Sequence, residues 1–161
     1  MIVVSNTSPL TNLAAIGQFH LLPQLYQNLQ IAEGVWQELN AYQPPPPGCQ
    51  EVASAPWIYC HTVQNRSLVI ALRQDLDKGE AETLALAIEL SADLVLLDEK
   101  EARHQAQRLE LNKTGVVGIW LEAKKQGYLT QVKPHLEALR QKAGFYLHDS
   151  LYQQALWLAK E

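Results

Sequence analysis

The stretch LDKGEAETLALAIELSADLVLLDE, residues 76–99, decides the fold class. Asp77-Lys78-Gly79-Glu80 opens a helix that runs to about Leu90, because Ala81, Leu84, Ala85 and Ile88 recur on one face at helical spacing. Leu94-Val95-Leu96-Leu97 is then apolar without interruption. A strand with one wet face would alternate, so this run reads as a strand covered on both sides, the usual state in a parallel sheet. It stops at Asp98-Glu99, and a charged helix follows from Lys100 to Glu110.

The same alternation extends in both directions. Ile2 to Ser5 reads as a buried strand closed by Asn6-Thr7-Ser8-Pro9, with a helix starting at Pro9 under a Ser8 or Thr7 cap and carrying Leu10, Leu13, Ala14 and Ile16. Phe19 to Tyr26 is a second short helix, and Leu29 to Ala32 a strand that leads into a helix from Glu33 to Leu39. Pro44 to Pro47, with Gly48, end that helix in a stiff polyproline segment expected to be a surface loop. Trp57 to Val63 reads as a strand and Leu68 to Arg73 as a short helix. Beyond residue 110, Asn112 to Gly115 is a short strand or turn, Val116 to Gln126 is helical with Gly127 as its stop, and helices over about Gln131–Lys142 and His148–Lys160 follow. Alternating strands and helices predict an α/β fold with a parallel sheet and a helical C-terminal tail, in one domain spanning residues 1–161 without internal repeats.

Composition narrows the function. The 161 residues are 47% hydrophobic, enough for one real core, and Gly 8 with Pro 8 excludes a collagenous or low-complexity polymer. A net charge of −4 excludes a protein that coats nucleic acid by charge alone. The average hides a split: residues 1–99 hold three basic side chains against eleven acidic ones, and residues 100–142 nine against four. An acidic part able to hold a metal and a basic segment able to meet phosphate suit a metal-dependent enzyme acting on a polyanion.

Cys49 and Cys60 fit no zinc or disulfide pattern, and His20, His61, His104, His135 and His148 form no i, i+4 pair. Ser5 and Ser8 lack a nucleophile elbow, and no glycine-rich phosphate loop occurs. Trp36, Trp57, Trp120 and Trp157, with Phe19, Phe145 and Tyr146, read as core or interface aromatics. The N-terminal residues lack a positive n-region, and no run reaches eighteen apolar residues, so a soluble, cytoplasmic protein without membrane attachment is expected.

In an open parallel sheet, ligands bind outside the carboxyl ends of the strands. Asn6 and Asp98 both end buried strands, while Glu38 and Glu80 sit on helices able to lean over the same edge. Three carboxylates and a carboxamide gathered there would form an all-oxygen site suited to Mg²⁺ or Mn²⁺. Simpler readings stay open at this point. Asp77-x-x-Glu80 and Asp98-x-x-Glu101 both fit helix capping boxes, Glu38 fits a solvated helix face, and Asn6 fits a turn.

Four segments in order, VVSNTSPL (3–10), VWQEL (35–39), LDKGEAETLALAIELSADLVLLDE (76–99) and TGVVG (114–118), resemble the PIN-domain family, in particular its VapC-like prokaryotic branch. The resemblance spans nearly the whole chain. It implies a three-layer α/β/α fold with a central, mainly parallel sheet, and a Mg²⁺- or Mn²⁺-dependent endonuclease, most often acting on RNA. The family's acidic positions fall on Asn6, Glu38, Glu80 and Asp98. By that implication these four hold metal, Thr7 or Ser8 steadies a ligand or a metal-bound water, and Arg103, Lys100 and Lys113 are the candidate phosphate contacts. A small antitoxin partner and a homodimer, with Leu151, Leu156 and Trp157 in its surface, are the implied assemblies.

One position departs from the pattern. Residue 6 is Asn where most active members of the family have Asp, which removes a negative charge and keeps an oxygen donor. Reduced or more Mn²⁺-dependent cleavage is one expectation, and a catalytically inactive domain that binds RNA or a partner protein is the alternative. Glu82 and Glu99 are the acids able to substitute, although Glu82 lies about 200° around the helix from Glu80. An unrelated α/β domain with an acidic pocket is a third reading, which requires these four residues to be scattered.

Overall fold

The polar ends of two buried strands set the architecture. A computed structural model describes residues 1–142 and 147–161, so Phe145 and Tyr146 lie outside the described residues. The chain runs β1 (Val3–Ser5), α1 (Thr7–Ala15), α2 (Leu21–Tyr26), β2 (Leu29–Ala32), α3 (Glu33–Asn40), α4 (Cys49–Ser54), β3 (Ile58–His61) and α5 (Arg66–Leu72). It continues through α6 (Lys78–Glu89), β4 (Leu94–Leu96), α7 (Lys100–Arg108), β5 (Lys113–Thr114), α8 (Val116–Lys125), α9 (Lys133–Lys142) and α10 (Asp149–Leu158).

The strands form one all-parallel sheet in the order β3-β2-β1-β4-β5. β1 is central: the chain builds first to one side of it, through β2 and β3, and then crosses to the other. The switch point is therefore the β1–β4 pair, where Ser5 stands opposite Leu96. Alternating side chains of these strands enter separate cores. Val3 and Leu96 join a cluster with α1, α2, α3 and the C-terminal helices, whereas Val4, Val95 and Leu97 pack with α5, α6 and α7. Burial on both faces explains why Leu94 to Leu97 show no polar alternation, and it makes the fold the three-layer α/β/α arrangement expected of the sequence.

Local chemistry accounts for the helix starts. Asp77 Oδ1 accepts the Glu80 N–H at 2.8 Å and Glu80 Oε1 accepts the Asp77 N–H at 3.3 Å, the reciprocal cap anticipated for α6. The same pattern at Asp98 is not a capping box. Glu99 occupies the N-cap position of α7 without a side-chain cap, and Asp98 instead accepts the Val116 N–H at the start of α8 at 3.0 Å. α1 starts at Thr7, two residues before the expected Pro9, with Asn6 at the cap position. Proline is tolerated there because the first turn has no use for its missing N–H. The unforeseen α4 follows the exposed proline loop, entered through Gly48 at φ 97°.

Leu96 is fully buried where β1, β4 and α8 meet. Leu96→Ala is expected to lower the unfolding free energy by about 2–5 kcal/mol in urea titrations, through lost burial and an uncollapsed cavity.

Candidate metal centre

The β1–β4 pairing brings the two strand ends together. Asn6 N–H donates to the Leu96 carbonyl at 3.0 Å, continuing the ladder past the last paired residue. Its side chain is only 2% exposed; Nδ2 donates to Glu99 Oε2 at 3.4 Å, and Oδ1 has no hydrogen-bond partner.

Starting α1 at Thr7 leaves the next two hydroxyls free for acids from distant parts of the chain. Thr7 Oγ1 donates to Glu38 Oε2 at 2.5 Å, and Ser8 Oγ donates to Glu99 Oε1. Glu38 stands in the last turns of α3 and also accepts a backbone hydrogen bond from Gly79. A Cβ at Gly79 would collide with Glu38 Oε1, so glycine is what lets the carboxylate reach the first turn of α6. Gly115 plays the same part for Asp98, since a Cβ there would collide with its Oδ1 and approach the Leu97 carbonyl to 3.1 Å.

The electrostatics are those of acids confined together. Burial pushes the Asp98 carboxyl up to about 6, with the Val116 N–H and Arg103 pulling against burial and the Glu99 charge adding to it. Burial, followed by the contact with Asp77 and the Glu99 charge, raises Glu80 to about 8. Glu38 is also raised, by burial first and then by Asp77 and Glu99, against the hydrogen bonds from Thr7 and Gly79. Glu99 is thus a neighbour common to all three.

Convergence of the four expected residues is partial. Among the described residues no three Asp, Glu, His or Cys side chains already form a cation cage. The reason is that each carboxylate has its own local tie: Glu38 to Thr7, Glu80 to the α6 cap, Asp98 to Val116. The donor set nonetheless fits a hard cation. The candidate ligands all offer oxygen, and Asn6 Oδ1 and Asp98 Oδ2 are shut away from solvent without partners.

The cations lie beside Asp98. Arg103 Nη1 donates to the Leu97 carbonyl at 2.8 Å, which braces the end of β4 and commits part of the guanidinium to the fold. Arg103 and Lys113 also line a groove of about 450 Å³ that runs from Asp98 to α10, and both border a second depression together with Lys100 and His104.

A family model described as PIN domain matches residues 2–161. The chain belongs to the PIN-domain family. No match to a curated protein was found. PIN domains are generally nucleases that use divalent metal ions. In this PIN domain the residues less visible in the sequence are Glu99 and the two glycines. Gly79 carried a signal, because glycine is a poor choice inside the first turn of a helix unless something must approach closely.

Each raised acid holds its proton more tightly in the folded chain than in the unfolded one. Their contribution to stability is full below the unfolded carboxylate range near pH 4, and it is lost as pH rises through about 6 for Asp98 and about 8 for Glu80. The metal-free protein is expected to melt at progressively lower temperature from about pH 4 to about 8, and Glu80→Gln to flatten the upper part of that curve in calorimetry.

Proposed function

We propose that this PIN domain is a Mg²⁺- or Mn²⁺-dependent endoribonuclease of the VapC-like toxin branch, with residues 1–161 acting as one cytoplasmic domain. What supports the reading is a PIN-domain sheet whose switch point holds buried, unpartnered Asn6 and Asp98 oxygens, together with the raised proton affinity of Glu38, Glu80 and Asp98.

Asp98 and Glu80 would hold the main ion directly or through water, Glu38 would help hold it or a second ion, and Asn6 would offer Oδ1. A bound divalent cation supplies Lewis-acid activation of water and charge neutralisation at the phosphodiester. Thr7 fixes the Glu38 carboxylate, and Ser8 fixes Glu99. Lys100, Lys113 and the remaining donors of Arg103 would take the phosphates flanking the scissile bond along the groove beside Asp98.

A homodimer and a small antitoxin partner belong to the same reading. Trp157 of α10, 77% exposed, supports an assembly role, whereas Leu151 and Leu158 line the groove beside Asp98. Leu156, expected on the dimer surface, instead packs against the core. Among the described residues no helix is long and apolar enough to cross a membrane. The neutral side chain at position 6 favours a second reading, a domain that binds RNA or a protein without cutting.

Incubating the protein with a mixed RNA pool in Mn²⁺ and then Mg²⁺ separates the readings. Wild type is expected to cleave, and Asp98→Ala to lose more than roughly 100-fold, beyond the 10–100-fold typical of changes to supporting residues. Lys113→Ala is expected to weaken RNA binding and to reduce its salt dependence by about one counterion. Cleavage by Asn6→Asp alone would support the non-cutting reading, and absence of both cleavage and metal binding in every variant would sink the nuclease.

A further inference from the structure

Position 6 is an amide, and the residue it touches is a carboxylate from 93 positions away. We propose that Glu99 supplies the acid that position 6 lacks: Asn6 Nδ2 and Ser8 Oγ hold it by one oxygen each, so that it serves as the fourth carboxylate of the cation site beside Glu38, Glu80 and Asp98. The inference rests on the metal-dependent reading above and names a ligand that reading does not contain.

Three observations lead there. The first is orientation. Glu99 sits at the N-cap position of α7, makes no side-chain bond to its own helix, and turns to the β1–α1 corner instead. Both of its oxygens are received there by donors from the cap and first turn of α1.

The second is the state of Asn6. An amide has a donor end and an acceptor end, and here the donor end faces Glu99 while Oδ1 is left buried without a partner. An Asp at this position would set two carboxylates against each other across the same 3.4 Å contact. Neutral Asn6 and acidic Glu99 are therefore a matched pair, with the negative charge at the start of α7 and the amide at the end of β1.

The third is location. The Glu99 charge acts on all three of Glu38, Glu80 and Asp98 and raises the proton affinity of each. Glu82, the other spare acid, is turned toward Arg66 and α3, although its Oε2 is, like Asn6 Oδ1 and Asp98 Oδ2, buried without a hydrogen-bond partner. Its Oε1 pairs with Arg66 Nη1 at 3.0 Å, and its Oε2 packs against Gly34 on α3.

The test is Mn²⁺ binding to the full chain without RNA, followed by calorimetric titration, with the Mn²⁺-induced shift in Tm as a second readout. Glu99→Gln is expected to weaken Mn²⁺ by roughly 10–100-fold, and Ser8→Ala, which removes a donor to Glu99 and none of the proposed ligands, by about 10-fold. The deciding variant is Asn6→Asp/Glu99→Gln, which puts the acid on β1 and is expected to regain affinity to within about threefold of wild type, as a charge swap between paired sites requires. Asn6→Asp alone brings no gain in affinity. Wild-type affinity in Glu99→Gln and Ser8→Ala would overturn the proposal, as would a loss in Glu99→Gln that the double variant fails to recover, since Glu99 would then be only a structural acceptor. Asp98→Asn distinguishes the two levels of failure. If it loses Mn²⁺ while Glu99→Gln does not, the metal site stands and Glu99 is not part of it; if wild type binds no Mn²⁺, both readings fall.

Discussion

The pairing of β1 with β4 is the interaction on which the rest depends. Two short, doubly buried strands, far apart in sequence, lie side by side and in parallel, so their polar ends must emerge at one edge. The Asn6 N–H bond to the Leu96 carbonyl carries that pairing one residue past the strand and delivers Asn6, Asp98 and Glu99 to one place. Because the faces of both strands are covered, the pair cannot slip without turning core side chains into the wrong layer. The acids are thus positioned by the apolar register of the sheet, and the loops that carry them need supply only local hydrogen bonds.

Those local bonds come from a run of small residues around the sheet edge. Thr7 and Ser8 lie in a helix whose first turn has no side-chain cap, which releases their hydroxyls for Glu38 and Glu99. Gly79 and Gly115 remove the methylene that would block Glu38 and Asp98. Hydroxyl and glycine act together here: one kind of residue draws a carboxylate in and the other clears its path.

What could be read from the sequence divides along the same line. β1, β2, β4, α6 and its cap were legible because each is written in a contiguous stretch, and the PIN resemblance followed from their order. α4 escaped because a six-residue helix behind four prolines has little periodicity to show. The open capping alternative for Asp98 could not be settled from sequence, because its partner, the Val116 N–H, comes from a later element. Glu99 was visible only as a spare acid. Its partners are 91 and 93 residues away, and nothing local separates a carboxylate that faces solvent from one received by a distant serine and asparagine.

The crowding of acids has a consequence for how such a chain changes over generations. Burial and the charge of Glu99, with that of Asp77 at Glu38 and Glu80, disfavour the ionised carboxylates of Glu38, Glu80 and Asp98 in the unliganded protein. Selection for heat resistance alone would therefore replace them early, with amides or apolar residues that fit the same space. The acids persist only under a pressure that acts on the site itself, and a variant pool bred for robustness would drift toward a well-folded domain with nothing to hold.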